Sequence, residues 1–310
     1  MAANPTFDWL DRAGSTAGVT FFVPASVSQT GMIELSLADR PAIVTGASRG
    51  IGRQIAATFA EAGGEVAICS RSYEDVEPVA EELTAEHDGR VVPVECDVTD
   101  ADQVRDLVDT AIEEFGDLRV LVNNAGGSVE DADLLHRCDE ETFEWMLELN
   151  LKGPYLLARE VLPAMIAAGG GSMVHVGSVN GLFGIGLTGY SEAKSGLLAL
   201  SRNISIHYGQ YGIRSNVLSA GTIETENRRQ EMENTEERSE GTSARDRWLN
   251  QYPLGRFGRP DEVADTALFL ASERAGFITG ENLVVDGGLT SGLPTSFQNA
   301  IYQADEPPTR

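Results

Sequence analysis

From Pro41 onward, short apolar runs alternate with stretches whose apolar residues recur at helical spacing. Ala42-Ile43-Val44 predicts a first strand. Ile51, Ile55, Ala56, Phe59 and Ala62 then predict the buried stripe of a helix, which Gly63-Gly64 ends. Glu65–Ser70 predicts a second strand, Val76–Glu86 a charged, exposed helix, and Val91–Glu95 a third strand. Over Asp102–Phe115 the residues Val104, Leu107, Val108, Ala111, Ile112 and Phe115 share one helical face. Val120-Leu121-Val122 predicts the fourth strand, and a long helix is expected from about Glu140 to Ile166, with Asn150 near its middle. Ser172–Gly177, Ile213–Leu218 and Val284-Val285 predict the remaining strands, with a helix over Tyr190–His207.

Strands that are apolar throughout, separated by amphipathic helices, belong to a parallel sheet covered on both faces. The expected fold class is therefore α/β, a doubly wound parallel sheet in a single domain. Ligands of such sheets bind beyond the carboxyl ends of the strands. Residues 1–31 show no sustained period, and Met32-Ile33-Glu34-Leu35 reads like a natural start. Residues 1–31 are thus read as an N-terminal extension, either an arm or an upstream extension of the reading frame. The catalytic domain is placed at 32–292 and a C-terminal tail at 293–310. Glu224–Asp246 is polar and charge-dense, and reads equally as a solvated face or as a lid.

Charge changes the picture. The chain carries 48 acidic and 23 basic residues, a net charge of −25, and its only lysines are Lys152 and Lys194. Such a surface repels nucleic-acid phosphates and anionic membranes. It fits either a soluble acidic enzyme or adaptation to high salt. Cys69, Cys96 and Cys138 are widely spaced and odd in number, and His87, His136, His175 and His207 are scattered. Neither a disulfide framework nor a metal site is expected from them. Asp8 and Asp11 stand where a secretory signal carries positive charge, and no apolar run is long enough to span a bilayer. A cytoplasmic location is expected.

Two motifs carry the candidate chemistry. Thr45–Gly52 reads T-G-A-S-R-G-I-G between the first strand and the first helix. Glycines at 46, 50 and 52 let the backbone approach a pyrophosphate, whose charge would sit on unpaired helix N–H groups. Its spacing is G-x-x-x-G-x-G rather than G-x-G-x-x-G, and the bland alternative is an ordinary glycine turn. The second motif is Tyr190-Ser191-Glu192-Ala193-Lys194. Residues at i and i+4 share a helix face, so the phenol and the ammonium can point into one site. A free phenol titrates near pH ~10, and lowering it by ~3 units would correspond to roughly 4 kcal/mol favouring the phenolate. Ser178, at the preceding strand end, makes a chance Y-x-x-x-K pair a poor account.

T-G-A-S-R-G-I-G, then Asn123-Asn124-Ala125-Gly126, a mid-helix Asn150, Ser178 after the fifth strand, and Y-S-E-A-K occur in this order. The set resembles the short-chain dehydrogenase/reductase family over about Leu37 to Leu289. The resemblance implies a Rossmann-like single domain with a seven-stranded parallel sheet, assembled as a tetramer or dimer. It also implies reversible hydride transfer between a nicotinamide cofactor and a carbonyl/alcohol pair. Tyr190 would then exchange a proton with the substrate oxygen, and Lys194 would lower its pKa and bind the nicotinamide ribose. Ser178 would hydrogen-bond the substrate oxygen, and Asn150 would hold a water in the proton relay. Gly46, Ser48, Arg49, Gly50, Ile51 and Gly52 would cradle the cofactor. Asn124 and Gly126 would line its adenosine side, and Asp97 and Val98 would meet the adenine.

At the end of the second strand an NAD enzyme usually places an acid. Here Ser70-Arg71 stands instead, with Arg49 in the glycine turn. Two guanidiniums suit a 2′-phosphate, which favours NADP(H) over NAD(H); the alternative is that either arginine serves a surface salt bridge. After the sixth strand the family usually has Pro-Gly, but here the run is Ser219-Ala220-Gly221-Thr222-Ile223-Glu224-Thr225. Gly221, Ile223 and Thr225 still match positions that would meet the nicotinamide, although Ala220 lacks proline's fixed φ and predicts a looser loop. The substrate is a small carbonyl or alcohol; sugars (aldose 1-oxidation) and 3-oxoacyl thioesters are the two classes the resemblance offers. A non-catalytic NADP(H)-binding sensor and a structural oligomer subunit are the competing classes. The intact set Asn150, Ser178, Tyr190 and Lys194 weighs against both.

Overall fold

The computed structural model describes residues 35–87, 89–129, 134–226 and 244–293. The extension 1–31, most of the tail 293–310 and the middle of the charge run after Glu224 lie outside them. Among the described residues, seven strands form one parallel sheet in the order β3-β2-β1-β4-β5-β6-β7. They are β1 (Ala42–Thr45), β2 (Val66–Ser70), β3 (Val91–Glu95), β4 (Val120–Asn123), β5 (Gly171–Ser178), β6 (Ile213–Ala220) and β7 (Asn282–Val285). Helices α1 (Gly50–Glu61), α2 (Tyr73–Glu86), α3 (Ala101–Phe115), α4 (Glu140–Leu147), α5 (Gly153–Ala167) and α6 (Tyr190–Tyr208) connect them, followed by α7 (Ala244–Leu249) and α8 (Pro260–Ala271).

The strands are buried on both faces because alternate residues feed separate apolar layers. Val44, Ile68, Val122 and Val174 join Ile55 and Phe59 of α1, Val76 and Leu83 of α2, and Val263 and Leu270 of α8. Ile43, Cys69, Leu121 and Met173 point the other way, onto Val104 and Leu107 of α3, Val161 of α5 and Ile204 of α6. Helix starts follow local chemistry. The Asp100 carboxylate accepts from the N–H groups of Asp102 and Gln103 to start α3, and Asp139 caps Thr142 N–H at 2.7 Å to start α4.

Three expectations need correction. The helix expected over about Glu140 to Ile166 is two α-helices joined by a π-helical turn, Glu148–Lys152. Gly153 N–H reaches the Glu148 carbonyl there. Pro154 brings no N–H, so the carbonyl of Asn150, four residues earlier, loses its α-helical partner. Helix α2 starts at Tyr73 rather than Val76, because its first turn is acidic (Glu74, Asp75) and its apolar face begins only one turn later. Helix α8 had no counterpart in the periodicity reading. Its signals are local ones: Pro260 in the first turn and the Glu262 carboxylate accepting from Arg259 N–H at 2.8 Å.

Candidate active site

Every candidate residue lies at the carboxyl edge of the sheet. Strand β1 pairs with both β2 and β4, so the ends of β1 and β4 meet although nearly eighty residues separate them. Thr45 Oγ1 accepts from the N–H groups of Asn124 and Ala125, each at 3.0 Å. The Asn124 amide donates to the carbonyls of Thr45 (2.8 Å) and Gly46 (3.0 Å). Asn124 thus staples the glycine turn to β4.

The turn itself requires its glycines. Gly46 has φ +63°, and a Cβ there would stand 2.8 Å from Ala125 Cα. A Cβ on Gly52 would collide with the Gly46 carbonyl and the Asn124 amide. Helix α1 then starts with no side-chain cap and no acid in its first turn, so its leading N–H groups face the turn. Ser48 and Arg49 extend from this turn, and the Ile51 side chain packs back onto the apolar layer under α1.

Beside the glycine turn a cavity of ≈ 530 Å³ is lined by Ser48, Arg49, Ser70, Arg71, Ser72 and Asp75. Both arginines are exposed, and neither forms an ion pair with a described residue. Ser70 Oγ donates to Ser72 O at 2.6 Å, curling the chain after β2 so that Arg71 faces the turn. Asp75 was not singled out from the sequence; being a helical acid four residues past the Ser70-Arg71 strand end, it carried no signal of its own. Asp97 accepts from Thr99 N–H (2.9 Å) and Thr99 Oγ1 (2.7 Å), a turn that buries Val98 against Gly153 at the start of α5.

The other half of the site brings Tyr190, Lys194 and Asn150 together, with Ser178 at the end of β5. Tyr190 opens α6, fixed there by the Glu192 carboxylate accepting from Gly189 N–H at 2.6 Å. Lys194 is one turn further on, with Nζ 5.5 Å from the Tyr190 ring centroid. Nζ donates to the Val176 carbonyl of β5 at 2.9 Å, and burial pulls the ammonium down to about 8. Asn150, fully buried in the π-helical turn, donates from Nδ2 to Gly127 O (2.9 Å) and Met146 O (3.0 Å) and accepts from Gly127 N–H at 3.1 Å. Gly126 joins the two groups: a Cβ there would lie 2.7 Å from Asn150 Oδ1 and 3.2 Å from Lys194 Nζ. Ser178 closes β5, donating to Asn180 Oδ1 (3.1 Å) and accepting from Asn180 N–H (3.2 Å). Asn180 also went unnoticed in the sequence.

The Gly221–Thr225 loop faces the glycine turn, since a Cβ on Gly50 would stand 3.3 Å from Thr225 Cγ2. The Ile223 side chain is buried in the layer under α8, and its carbonyl accepts from Thr225 N–H at 3.0 Å. The loop that Ala220 leads into is hydrogen-bonded along its main chain. Gly221 N–H donates to Val285 O at 2.9 Å, and Glu224 N–H to Gly258 O at 2.8 Å. Beneath the site, buried His175 faces Asn123 Nδ2 through Nδ1 (3.0 Å) and Ser215 Oγ through Nε2 (3.1 Å). Burial first, and the charge of Lys194 second, push its imidazole down to about 4. Among the described residues there is no cluster of metal-ligating side chains and no helix long and apolar enough to cross a membrane.

Comparison with known proteins agrees with this fold. A family model described as enoyl-(acyl carrier protein) reductase matches residues 46–290. The chain is 36% identical over 256 residues to the 3-oxoacyl-(acyl-carrier-protein) reductase FabG of Thermotoga maritima, covering 82% of this chain and 99% of that protein. It is 38% identical over 263 residues to the L-rhamnose 1-dehydrogenase (NAD(P)(+)) of Azotobacter vinelandii, covering 83% and 99%. Among solved structures, a short-chain type dehydrogenase/reductase from Mycobacterium marinum superposes with a TM-score of 0.75 at 31% identity, covering 84% of this chain and 98% of that one.

Proposed function

The chain belongs to the short-chain dehydrogenase/reductase family and is an NAD(P)-dependent oxidoreductase, and on that premise we propose that it prefers NADP(H) and works through Tyr190, Lys194, Ser178 and Asn150. The observation that carries the site reading is the convergence of Lys194 Nζ on Tyr190 and, across Gly126, on Asn150. The residues fit a dinucleotide. The glycine cradle leaves no room for a Cβ, the α1 N-terminus carries no side-chain cap, and two guanidiniums without an ion-pair partner among the described residues border the cavity.

When bound, the nicotinamide supplies or accepts the hydride at the substrate carbon. Ser178 Oγ exchanges its bond to Asn180 Oδ1 for one to the substrate oxygen, which orients that oxygen toward Tyr190. The Tyr190 hydroxyl gives its proton to that oxygen in reduction and takes it back in oxidation. Lys194, held by Val176 O, keeps positive charge beside the phenol and favours the phenolate. The carbonyl of Asn150, released from the α-helical ladder by Pro154, is a ready acceptor for a water that feeds protons to Lys194.

Arg49 and Arg71 support NADP(H), since neither is spent on a described acid. Asp75 on the same cavity works against a phosphate and tempers that preference. Substrate classes are a sugar oxidised at C1 or a 3-oxoacyl thioester. The net charge of −25 disfavours an acidic carrier protein and so favours the small molecule. Exposed apolar side chains on helices α4 to α6 (Trp145, Tyr155, Ile206) and on edge strand β7 (Leu283, Val284) support a homotetramer or homodimer. The same reading places the enzyme in the cytoplasm, with residues 32–292 as the catalytic domain. The test is turnover of NADP⁺ with a panel of sugars and alcohols, and of NADPH with ketones and acetoacetyl thioesters. Turnover with NAD⁺ or NADH alone would reject the cofactor preference.

A further inference from the structure

Strand β6 ends at Ala220, and the loop after it opens with Gly221, which does little to restrict φ. Besides the main-chain bonds of Gly221 and Glu224, the loop is held by side chains that converge on one residue. All three polar groups of Thr222 are engaged. Its N–H donates to the Tyr252 hydroxyl at 2.8 Å, its carbonyl accepts from Gly258 N–H at 3.0 Å, and its Oγ1 accepts from Trp248 Nε1–H at 2.7 Å.

The two aromatic partners are themselves held. Tyr252 is 4% exposed and stacks edge-on against Trp248 (centroids 6.0 Å) and Phe257 (5.3 Å). Glu224 and Arg245 pair at 2.8 Å alongside, so α7 and the turn after it are tied back to the loop at several points. Indole and phenol are economical restraints, because each ring loses few torsions on burial and each carries one polar handle. Thr225, at the other end of the loop, meets the glycine turn.

We propose that Trp248 and Tyr252 are positioning residues. By clamping Thr222 they hold the Gly221–Thr225 main chain in the conformation that receives the nicotinamide end of the cofactor. The proposal rests on the cofactor placement given above. Neither ring touches the reacting atoms; each acts through Thr222. The clamp should therefore govern affinity for the nicotinamide half and leave the adenosine half alone.

The test uses the full-length protein and calorimetric titration with two probes: NADPH, and 2′-phospho-ADP-ribose, which lacks the nicotinamide. Trp248→Phe and Tyr252→Phe each keep a ring and remove one hydrogen-bonding group. One such bond corresponds to about a three- to tenfold change in a binding constant. Each variant is expected to weaken NADPH by about that factor and to leave the fragment within about twofold. Thr222→Val removes the same acceptor that Trp248 uses, so the losses of Trp248→Phe and Thr222→Val should not add. Equal weakening of both probes, or no weakening of NADPH, would overturn the clamp. A wild-type protein that binds neither probe would instead overturn the cofactor placement, and the clamp with it. If a phenylalanine variant does not fold, Thr222→Val alone decides by the same contrast between probes.

Discussion

The ammonium of Lys194 stands 5.5 Å from the centre of the Tyr190 ring, one turn further along α6, and donates to Val176 O at 2.9 Å. The carbonyl anchors the cation to the sheet, while the helix sets its distance from the phenol. The charge that favours a phenolate is therefore part of the folded scaffold and needs no rearrangement at the moment of proton transfer.

Tyr190→Phe removes the titrating oxygen and little else. Turnover should fall by at least about a thousandfold, at the scale of general acid–base catalysis, with NADPH affinity within about threefold of wild type. Steady-state kinetics and calorimetry read the two separately. A variant retaining a tenth of the wild-type kcat would remove Tyr190 from the mechanism.

Gly126→Ala places a methyl group 2.7 Å from Asn150 Oδ1 and 3.2 Å from Lys194 Nζ. The two groups must part to admit it. We expect kcat to fall by about tenfold or more, the cost of roughly 1.4 kcal/mol of misplacement, with circular dichroism unchanged. Unaltered kcat would show that these groups do not act together.

Arg71→Ala should weaken NADPH by about ten- to a hundredfold and NADH hardly at all, because charged hydrogen bonds to the 2′-phosphate contribute about 1.5–3 kcal/mol. Affinities for both cofactors measured on both proteins give the answer. Parallel losses would make Arg71 remote from the phosphate.

His175 gives the protein an acid-sensitive core. Its imidazole lies at about 4 in the folded chain, below its ordinary value of 6.5. Between those values the unfolded chain binds a proton that the native one refuses, so stability falls as pH drops through this window. The contribution approaches about 1.4 kcal/mol per pH unit at its steepest. Urea unfolding from pH 6.5 to 5 should therefore show a steeper fall for wild type than for His175→Gln, whatever the absolute stability of the variant. Identical slopes would assign the acid sensitivity to the surface carboxylates.

A net charge of −25 makes the compact state repel itself. Raising ionic strength from 0.1 to 1 M shortens the screening length from about 10 Å to about 3 Å. Melting temperature and activity are expected to rise with KCl into the molar range, beyond any gain from a neutral osmolyte of equal osmolality. A flat or falling KCl series would end the high-salt reading, and an equal gain with the osmolyte would assign the effect to apolar burial.

Much of this protein is legible in local sequence. The continuous apolar runs at Ala42, Val66, Val120 and Ser172 announce buried parallel strands, because a strand covered on both faces has no polar side to alternate. The glycine turn and the Tyr190–Lys194 pair are legible for the same reason, as each depends on spacings shorter than two helical turns. Helix α8 is equally local, signalled by Pro260 in its first turn and by the Glu262 capping carboxylate.

What only the tertiary structure decided are meetings between residues far apart in the chain. Strand order puts β4 beside β1, so Asn124 closes the glycine turn that begins at Thr45. Asp75 lines the cavity of Arg49 and Arg71 because the chain curls after Ser70. Trp248 and Tyr252 reach Thr222 from beyond the charge run and hydrogen-bond its side chain and main chain. Periodicity reports which face of an element is buried, but not which element buries it. That choice belongs to the crossover topology, and the side-chain pairings of the site follow from it.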